Sequence, residues 1–239
     1  MKATFEAEPA QETIGAHAQQ RPSSPHITAK QVVERAPWVA GYWTKQWAAE
    51  ASEEDLLELE ELLFLSPDLD VRASLVMCFQ KDGYPRLSDR WLSLLHSDHR
   101  SLARQTAIIL GRVQDERVQA LAREFLEAGD AEVGLPLLHA NLEGVSADWL
   151  AKHLPELRDN DGNDHLSRAL VLAGENATGA VAVLCLERVY EQEHCSTCRK
   201  DALKRLLELD AAPTWMLKEA TGDANKDMRA LAFDHVDRA

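Results

Sequence analysis

One arginine recurs through this chain at a nearly constant interval, and that interval constrains the fold more than any other sequence feature. The recurrent positions are Arg72, Arg104, Arg168, Arg199 and Arg229. They are 32, 64, 31 and 30 residues apart, so the member expected near Pro136 is missing. The residue three positions later is always small or aliphatic, and a helix places it on nearly the same face. A period of about 30–32 residues is the length of two helices with their turns, so the spacing predicts an α-solenoid of stacked helix pairs.

Helix-start signals recur along the chain, whereas strand signals are nearly absent. Thr28 with Gln31, and Ser52 with Asp55, have the spacing of capping boxes, in which side chains satisfy the first free amides of a helix. No alternating run of β-branched residues is long enough to form a strand. The sequence therefore predicts an all-α protein.

The chain is predicted to consist of a tail and one helical-repeat domain. Residues 1–27 are rich in Ala, Gln, Glu and Pro and lack a sustained apolar stripe, so we expect a flexible tail. Residues 28–239 form the repeat domain. Within it, residues 28–65 are expected to be atypical capping helices, because the end units of a repeat array must cover its core.

Two turns and one helix of this pattern resemble the HEAT repeat. Residues 70–73 (Asp-Val-Arg-Ala) and 227–230 (Asp-Met-Arg-Ala) look like the turn and second-helix start of that repeat, and residues 102–111 look like its second helix. The resemblance covers residues 53–239 and implies a right-handed α-solenoid. It also implies that Asp70 and Asp227 bond to helix arginines of neighbouring repeats. The stretch from Cys195 to Arg229 further resembles a group of bacterial HEAT-repeat proteins with no assigned activity.

The chain is acidic, and the acids are concentrated in its first half. Asp and Glu number 40 against 26 Lys and Arg, a formal net charge of −14, and residues 51–150 alone carry 19 acids and nine bases. The densest cluster includes Glu53, Glu54, Glu58 and Glu61. Such a cluster is either a solvated face that stabilises a helix N-terminus or a docking face for a basic protein partner. Binding to nucleic acid is disfavoured, because affinity for phosphate comes mainly from Lys and Arg.

Aromatic residues gather just before this acidic cluster. They are Trp38, Tyr42, Trp43 and Trp47. Two interpretations stay open. The rings form a hydrophobic cap over the first repeat, or they anchor a partner, since Trp and Tyr dominate binding surfaces.

Cys195 and Cys198 form a Cys-x-x-Cys pair, preceded by His194. Three interpretations are open: structural thiols at a helix start, a metal site completed by distant residues, or a redox pair. Zinc usually takes two such pairs, and a second pair is missing, so the sequence predicts no resident metal or cofactor. The four cysteines, in a sequence without a secretory signal pattern, favour a reducing, cytoplasmic location.

The sequence favours an interaction module over an enzyme. It lacks the common nucleophile, phosphate-binding and zinc-protease motifs, and it lacks an apolar run long enough for a membrane helix. We therefore expect a non-catalytic scaffold or adaptor whose acidic helical surface binds a protein partner; the sequence does not indicate the oligomeric state. The alternative is a HEAT-like DNA-binding enzyme of the alkylpurine DNA glycosylase type, which requires a basic groove.

Overall fold

A computed structural model describes residues 27–35, 42–81, 83–157 and 164–236, and the side chains of these residues except 42–45, 164 and 236. The described residues form α-helices with one 3₁₀ turn at Leu94–His96 and contain no strand, so the all-α prediction is confirmed. The tail of residues 1–27 lies outside the described residues except for Ile27. The helices are α1 (Ala29–Arg35), α2 (Tyr42–Glu50), α3 (Glu53–Leu65), α4 (Leu69–Val76), α5 (Asp89–Ser93), α6 (Arg100–Leu110), α7 (Glu116–Glu127), α8 (Ala131–Leu137), α9 (Ala147–His153), α10 (Asp164–Asn176), α11 (Gly179–Gln192), α12 (Ser196–Glu208), α13 (Thr214–Ala220) and α14 (Lys226–Val236).

The even-numbered helices from α4 to α14 pack against one another in chain order. Helix α4 packs on α6, α6 on α8, α8 on α10, α10 on α12 and α12 on α14. We call these six helices the first row. Four of the other helices pack against it: α3 on α4, α7 on α8, α11 on both α10 and α12, and α13 on α14. All five recurrent arginines lie on first-row helices, and Pro136 lies on the remaining one, α8.

The two predicted capping boxes are present at the starts of α1 and α3. The Thr28 amide donates to Oε1 of Gln31 (3.1 Å) and the Gln31 amide donates back to Oγ1 of Thr28 (3.4 Å). Likewise, the Ser52 amide donates to Oδ2 of Asp55 (3.0 Å) and the Asp55 amide to Oγ of Ser52 (3.1 Å). Each pair satisfies amides that a helix start leaves without an intrahelical partner.

Glycines set the closest contacts between the helices of a pair. A Cβ atom at Gly134 on α8 would lie 2.7 Å from Cγ of Leu126 on α7. A Cβ atom at Gly174 on α10 would lie 2.7 Å from Cγ of Leu186 on α11. Both distances are shorter than a carbon–carbon contact, so these crossings depend on the missing side chain. The core runs through these contacts and is mostly aliphatic, although its largest fully buried side chains are aromatic: Trp91, Tyr190 and Phe79.

Trp47 belongs to the core at the N-terminal end of the described chain. It is 6% exposed, and its indole Nε1 donates to the carbonyl oxygen of Ile27 at 2.7 Å. The chain itself therefore covers this ring, and the assignment of Trp47 as a partner anchor stays a prediction. Trp38 lies outside the described residues, and Tyr42 and Trp43 begin α2 with side chains outside the described set.

In the part of the chain that the structure describes, no helix combines the length and the apolarity that a bilayer crossing demands.

Candidate functional site

Three adjoining clefts form a groove across the C-terminal ends of four first-row helices. Their volumes are about 650, 400 and 230 Å³. Ala140 lines all three, so the clefts adjoin one another, and together we call them the end groove. Its walls come from the segments that follow α4, α6 and α8 and from the end of α10. The end groove therefore crosses repeat boundaries instead of belonging to one helix pair.

The floor of the end groove depends on a very close approach between α6 and α8. Gly111 follows the last residue of α6, and a Cβ atom there would lie 1.9 Å from the carbonyl oxygen of Pro136. The Gly111 carbonyl accepts from the amide of Ala140 at 2.8 Å. Only glycine leaves room for this contact, so the residue that closes α6 also positions Ala140 in the groove.

Asn141 holds the turns beneath the groove together. The side chain is 4% exposed, and its Nδ2 donates to the carbonyl oxygens of Val113 and Leu137, each at 3.0 Å. Its Oδ1 accepts from the amide of Asp115 at 3.0 Å. One buried amide thus bonds the turn after α6 to the end of α8 and holds the two turns in place beneath the groove.

The end groove is basic at one end and acidic at the other. At the basic end, Nζ of Lys81 donates to the Ala51 carbonyl oxygen (2.6 Å), and Nη1 of Arg112 donates to the Gln80 carbonyl oxygen (2.5 Å). Between the two ends, burial and the charge of Arg112 lower the pKa of His139, although Glu175 opposes them, so His139 is neutral near pH 7.

At the acidic end, the carboxyl groups of Asp115, Glu116 and Glu143 line the smallest cleft. Glu116 and Glu143 are exposed. The Arg117 guanidinium hydrogen-bonds Asp115 and holds the pKa of that carboxyl below its ordinary value, so it stays ionised. The end groove therefore presents opposite charges toward its two ends.

The acids of the predicted docking face lie on α3, but three of the four are paired within the chain. Glu53 pairs with Arg86, Glu58 with Lys30 at 3.7 Å and Glu61 with Arg90 at 2.8 Å. Glu54 is exposed near the start of the helix. The face is consequently less negative than its count of carboxylates indicates. Its partners Arg86 and Arg90 come from the segment around α5, about a repeat further along the chain.

Three of the recurrent arginines bond backbone carbonyl groups that precede their own helix. Nε of Arg72 donates to the Ser66 carbonyl oxygen (2.6 Å), Nε of Arg199 to that of Tyr190 (3.1 Å) and Nη1 of Arg229 to that of Asp223 (2.7 Å). These are carbonyls that a helix end or turn leaves without a helical partner. The arginines therefore hold each first-row helix to the preceding element.

The other repeat residues do not form the expected Asp–Arg ladder. Asp70 pairs with Nε2 of His99 at 3.2 Å instead of an arginine. Among the described residues, Asp227 forms no ion pair with an arginine, and it lies exposed at the start of α14. Arg104 is half-buried on α6, and Arg168 reaches forward to Asp201 on α12 at 3.4 Å.

A different polar ladder joins the starts of the first-row helices, and sequence reasoning missed it. Arg100 on α6 donates to both carboxylate oxygens of Asp130 (2.5 Å each) and to Oε2 of Glu132 on α8 (2.9 Å). Arg199 on α12 contacts Asp223, before α14, at 3.4 Å. Together with the Asp70–His99 and Arg168–Asp201 pairs, these contacts connect residues separated by 24 to 33 positions. Oppositely charged residues about one period apart were the signal that could have revealed them.

The basic residues of α12, on which the DNA-enzyme alternative depends, are mostly compensated. Arg199 pairs with Glu219 (2.5 Å) as well as Asp223, and Arg205 pairs with Glu208 (3.0 Å), which also lies 4.0 Å from Lys204. A surface that attracts phosphate needs uncompensated positive charge. On α12 the described ion pairs of Arg199, Lys204 and Arg205 reduce that charge.

The Cys-x-x-Cys pair begins α12. Cys195 is the N-cap residue and is partly exposed, whereas Cys198 lies in the first turn and is buried. Neither forms a disulfide. His194 is exposed beside them. Within the described ranges, no group of three or more His, Cys, Asp or Glu side chains is placed to hold a metal ion.

No protein-family model matches the chain, and no curated protein or solved structure is significantly similar to it. Its function therefore has to be argued from its own geometry.

Proposed function

We propose that this protein is a non-catalytic binding module, built as a right-handed α-solenoid of HEAT-like repeats, that holds an extended segment of a protein partner in the end groove. The single observation that carries the proposal is the row of three adjoining clefts that spans four first-row helix ends. An extended chain needs a long, shallow and preformed track, and repeat stacking supplies one. Within the proposal the module works in the cytoplasm.

The solenoid part of the proposal draws on the repeat period and on the order of helix contacts. Among the stronger packings of the described residues, each first-row helix contacts the next one in chain order, from α4 to α14. The spacing of the recurrent arginines, about 30–32 residues, fits one helix pair for each step. Nearest-neighbour stacking of equal units is the general property of such arrays.

Electrostatics favour a partner segment with basic residues near one end. Glu116 and Glu143 offer exposed carboxylates at the acidic end of the groove, and the chain as a whole has a net charge of −14. The net negative charge of the chain would attract a positive segment, and the carboxylates at the acidic end of the groove would orient it. The compensated α12 surface gives the glycosylase alternative no comparable support.

A substitution that fills the groove tests the proposal. Because Ala140 lines all three clefts, Ala140→Trp places an indole across the track. Short random peptides displayed on phage are selected on the wild-type protein, and the recovered sequences are synthesised. We expect basic, extended peptides whose affinity falls at least tenfold in Ala140→Trp and also falls as the salt concentration rises.

The matched control is Ala151→Trp, which adds the same ring at an exposed position on α9, outside the groove. Circular dichroism of both variants is used to check that each one is folded. The proposal fails if Ala140→Trp binds the selected peptides as tightly as the Ala151→Trp variant does. It also fails if the selection recovers no peptide above background.

A further inference from the structure

The Cys-x-x-Cys pair occupies the N-cap and third positions of a long, regular helix. Cys195 is the N-cap of α12, with φ −68° and ψ 109°, and Cys198 is the third helical residue. The Cys195 side chain makes no capping hydrogen bond. Glu193 instead binds the two amides just before the helix, because its Oε1 accepts from the amides of His194 (2.7 Å) and Cys195 (2.9 Å). The Cys195 thiol is therefore not committed to capping.

Side chains at these two positions of a helix point toward each other. In this protein, the same positions of α3 are held by Ser52 and Asp55, and Oγ of Ser52 donates to Oδ2 of Asp55 at 2.5 Å. Residues three apart on a helix generally have Cβ atoms about 5–6 Å apart. A disulfide needs Cβ atoms about 3.5–4.5 Å apart, so closure requires a shift of Cys195 toward Cys198, and Cys195 is the N-cap residue, outside the regular turns of the helix.

The four cysteines differ sharply in their access to reagents. Burial raises the pKa of both Cys78 and Cys185 to about 12, and both are fully covered by the core. Cys198 is 8% exposed, and Cys195 is the one that is partly open to solvent. An oxidant from solution therefore reaches Cys195 first, and Cys198 is the nearest thiol in sequence that can resolve the product.

We propose that Cys195 and Cys198 are a redox-modification site that closes into a reversible disulfide at the start of α12. The oxidant is a small-molecule disulfide of the glutathione type. Sulfur of Cys195, as thiolate, attacks the small disulfide, forms a mixed disulfide and releases one small thiolate. Sulfur of Cys198 then attacks Cys195, closes the internal disulfide and releases the second small thiolate. The two cysteine protons end on the two released thiols, so two protein thiols are oxidised while one small disulfide is reduced.

The site lies at a junction that this modification would stiffen. Arg199 directly follows Cys198, and its guanidinium joins the end of α11, through Tyr190, to Glu219 on α13 and to Asp223 before α14. A closed disulfide fixes the first turn of α12, on which Arg199 lies. The oxidised state is thus expected to protect this turn and its contacts from opening, and reduction reverses the change.

The full chain is tested by incubation with glutathione disulfide at neutral pH, quenching with acid, and tryptic mass spectrometry. Both cysteines fall in one tryptic peptide, residues 189–199. We expect this peptide to lose two hydrogen atoms, while Cys78 and Cys185 stay reduced. Addition of dithiothreitol should restore the original mass. Hydrogen exchange should slow in the first turn of α12 on oxidation.

Two near-isosteric variants separate the steps. Cys198→Ser should retain a stable glutathione adduct on Cys195, and Cys195→Ser should acquire no adduct in the folded protein. The proposal is overturned if the wild-type protein stops at the glutathione adduct or links to a second copy. It is also overturned if the internal disulfide forms only in urea. The wild-type result tests the disulfide proposal even if a variant does not fold. It is independent of the proposed binding function, because no binding partner is used.

Discussion

At the scale of single residues, buried and half-buried polar groups in this protein mostly satisfy free backbone groups at helix ends. Arg72, Arg199 and Arg229 donate to carbonyl oxygens that precede their helices, and Asn141 bonds the turns beneath the end groove. A hydrogen bond of this kind adds only modestly to the free energy of unfolding, but removal of the polar side chain leaves its buried partners without a hydrogen bond, which costs more. Removal of a polar side chain that bonds a helix end should therefore lower the free energy of unfolding more than removal of the same residue type from the surface.

Replacement of Asn141 by alanine should strongly destabilise the fold. The change leaves the Asp115 amide and the carbonyls of Val113 and Leu137 without their side-chain partner in a buried place. An unsatisfied buried group costs about 1–3 kcal/mol, so we expect a loss of at least about 2 kcal/mol in the free energy of unfolding. Urea denaturation followed by circular dichroism measures it.

The matched control for that change is Asn176→Ala. Asn176 is exposed, and its side chain bonds only the Leu172 carbonyl of its own helix in the described structure. Its replacement should alter the free energy of unfolding by less than about 0.5 kcal/mol. Equal losses in the two variants would contradict the role assigned to Asn141.

Glu193 should make stability depend on pH. Burial tends to raise the pKa of this carboxyl, but hydrogen bonds from the Ser167 hydroxyl and from the amides of Cys195 and His194 outweigh it, so its pKa in the folded protein is below the ordinary value. The unfolded chain then binds the proton more readily than the folded one. The stabilisation is complete above the ordinary glutamate pKa and is lost as pH falls through the lower, folded value.

Glu193→Gln should therefore show a weaker fall in unfolding free energy than the wild type between pH 7 and acid pH. The comparison uses urea denaturation at a series of pH values. Glu191→Gln, at an exposed position two residues earlier, is the control and should keep the wild-type slope. A wild-type slope in Glu193→Gln would show that Glu193 does not contribute.

At the scale of elements, the sequence predicted helix positions well and their surface chemistry poorly. The five recurrent arginines all lie on first-row helices, so the period marks positions that recur in the helix order, while the solenoid itself stays a prediction. The acidic cluster on α3 was judged by its own residues, yet its charges are paired with Arg86 and Arg90. Partners about 30 residues away are invisible to local patterns. The end groove was missed for the same reason, since its walls come from four separate segments.

Gly111→Ala should disrupt the contact between α6 and α8. The new methyl group would lie 1.9 Å from the Pro136 carbonyl oxygen, which is backbone and cannot rotate away. The helices must separate, and overpacking of this kind typically costs about 1–3 kcal/mol. A lower urea midpoint is expected, together with weaker binding of any peptide selected for the end groove.

Gly222→Ala is the control for this crowding. A methyl group there would have an ordinary contact, 3.6 Å from the Glu219 carbonyl oxygen. Because alanine also restricts the unfolded chain, that variant should be neutral or slightly more stable. The assigned role of Gly111 fails if both alanine variants unfold at the same urea concentration.

At the scale of the whole molecule, a change that destabilises one helix should destabilise the helices next to it and not the entire chain at once. Each inner first-row helix has two neighbours in the row, whereas α14 contacts α12 and α13 alone among the stronger packings described. The polar ladder follows the same order, as in the Arg100–Asp130 and Arg199–Asp223 pairs. A chain built in this way opens first at its ends, because an end unit has fewer interfaces to hold it.

Two core truncations of similar size should therefore speed hydrogen exchange in different sets of helices. Met228 on α14 and Leu137 on α8 are both fully buried, and replacement by alanine typically costs about 2–5 kcal/mol at such sites. In native-state hydrogen exchange, Met228→Ala should speed exchange in α13 and α14 while leaving α4 and α6 unchanged. Leu137→Ala should speed it in α6, α8 and α10 together, because α8 contacts the other two. Faster exchange in every helix of the Met228→Ala variant would instead mean that the molecule unfolds as one cooperative unit.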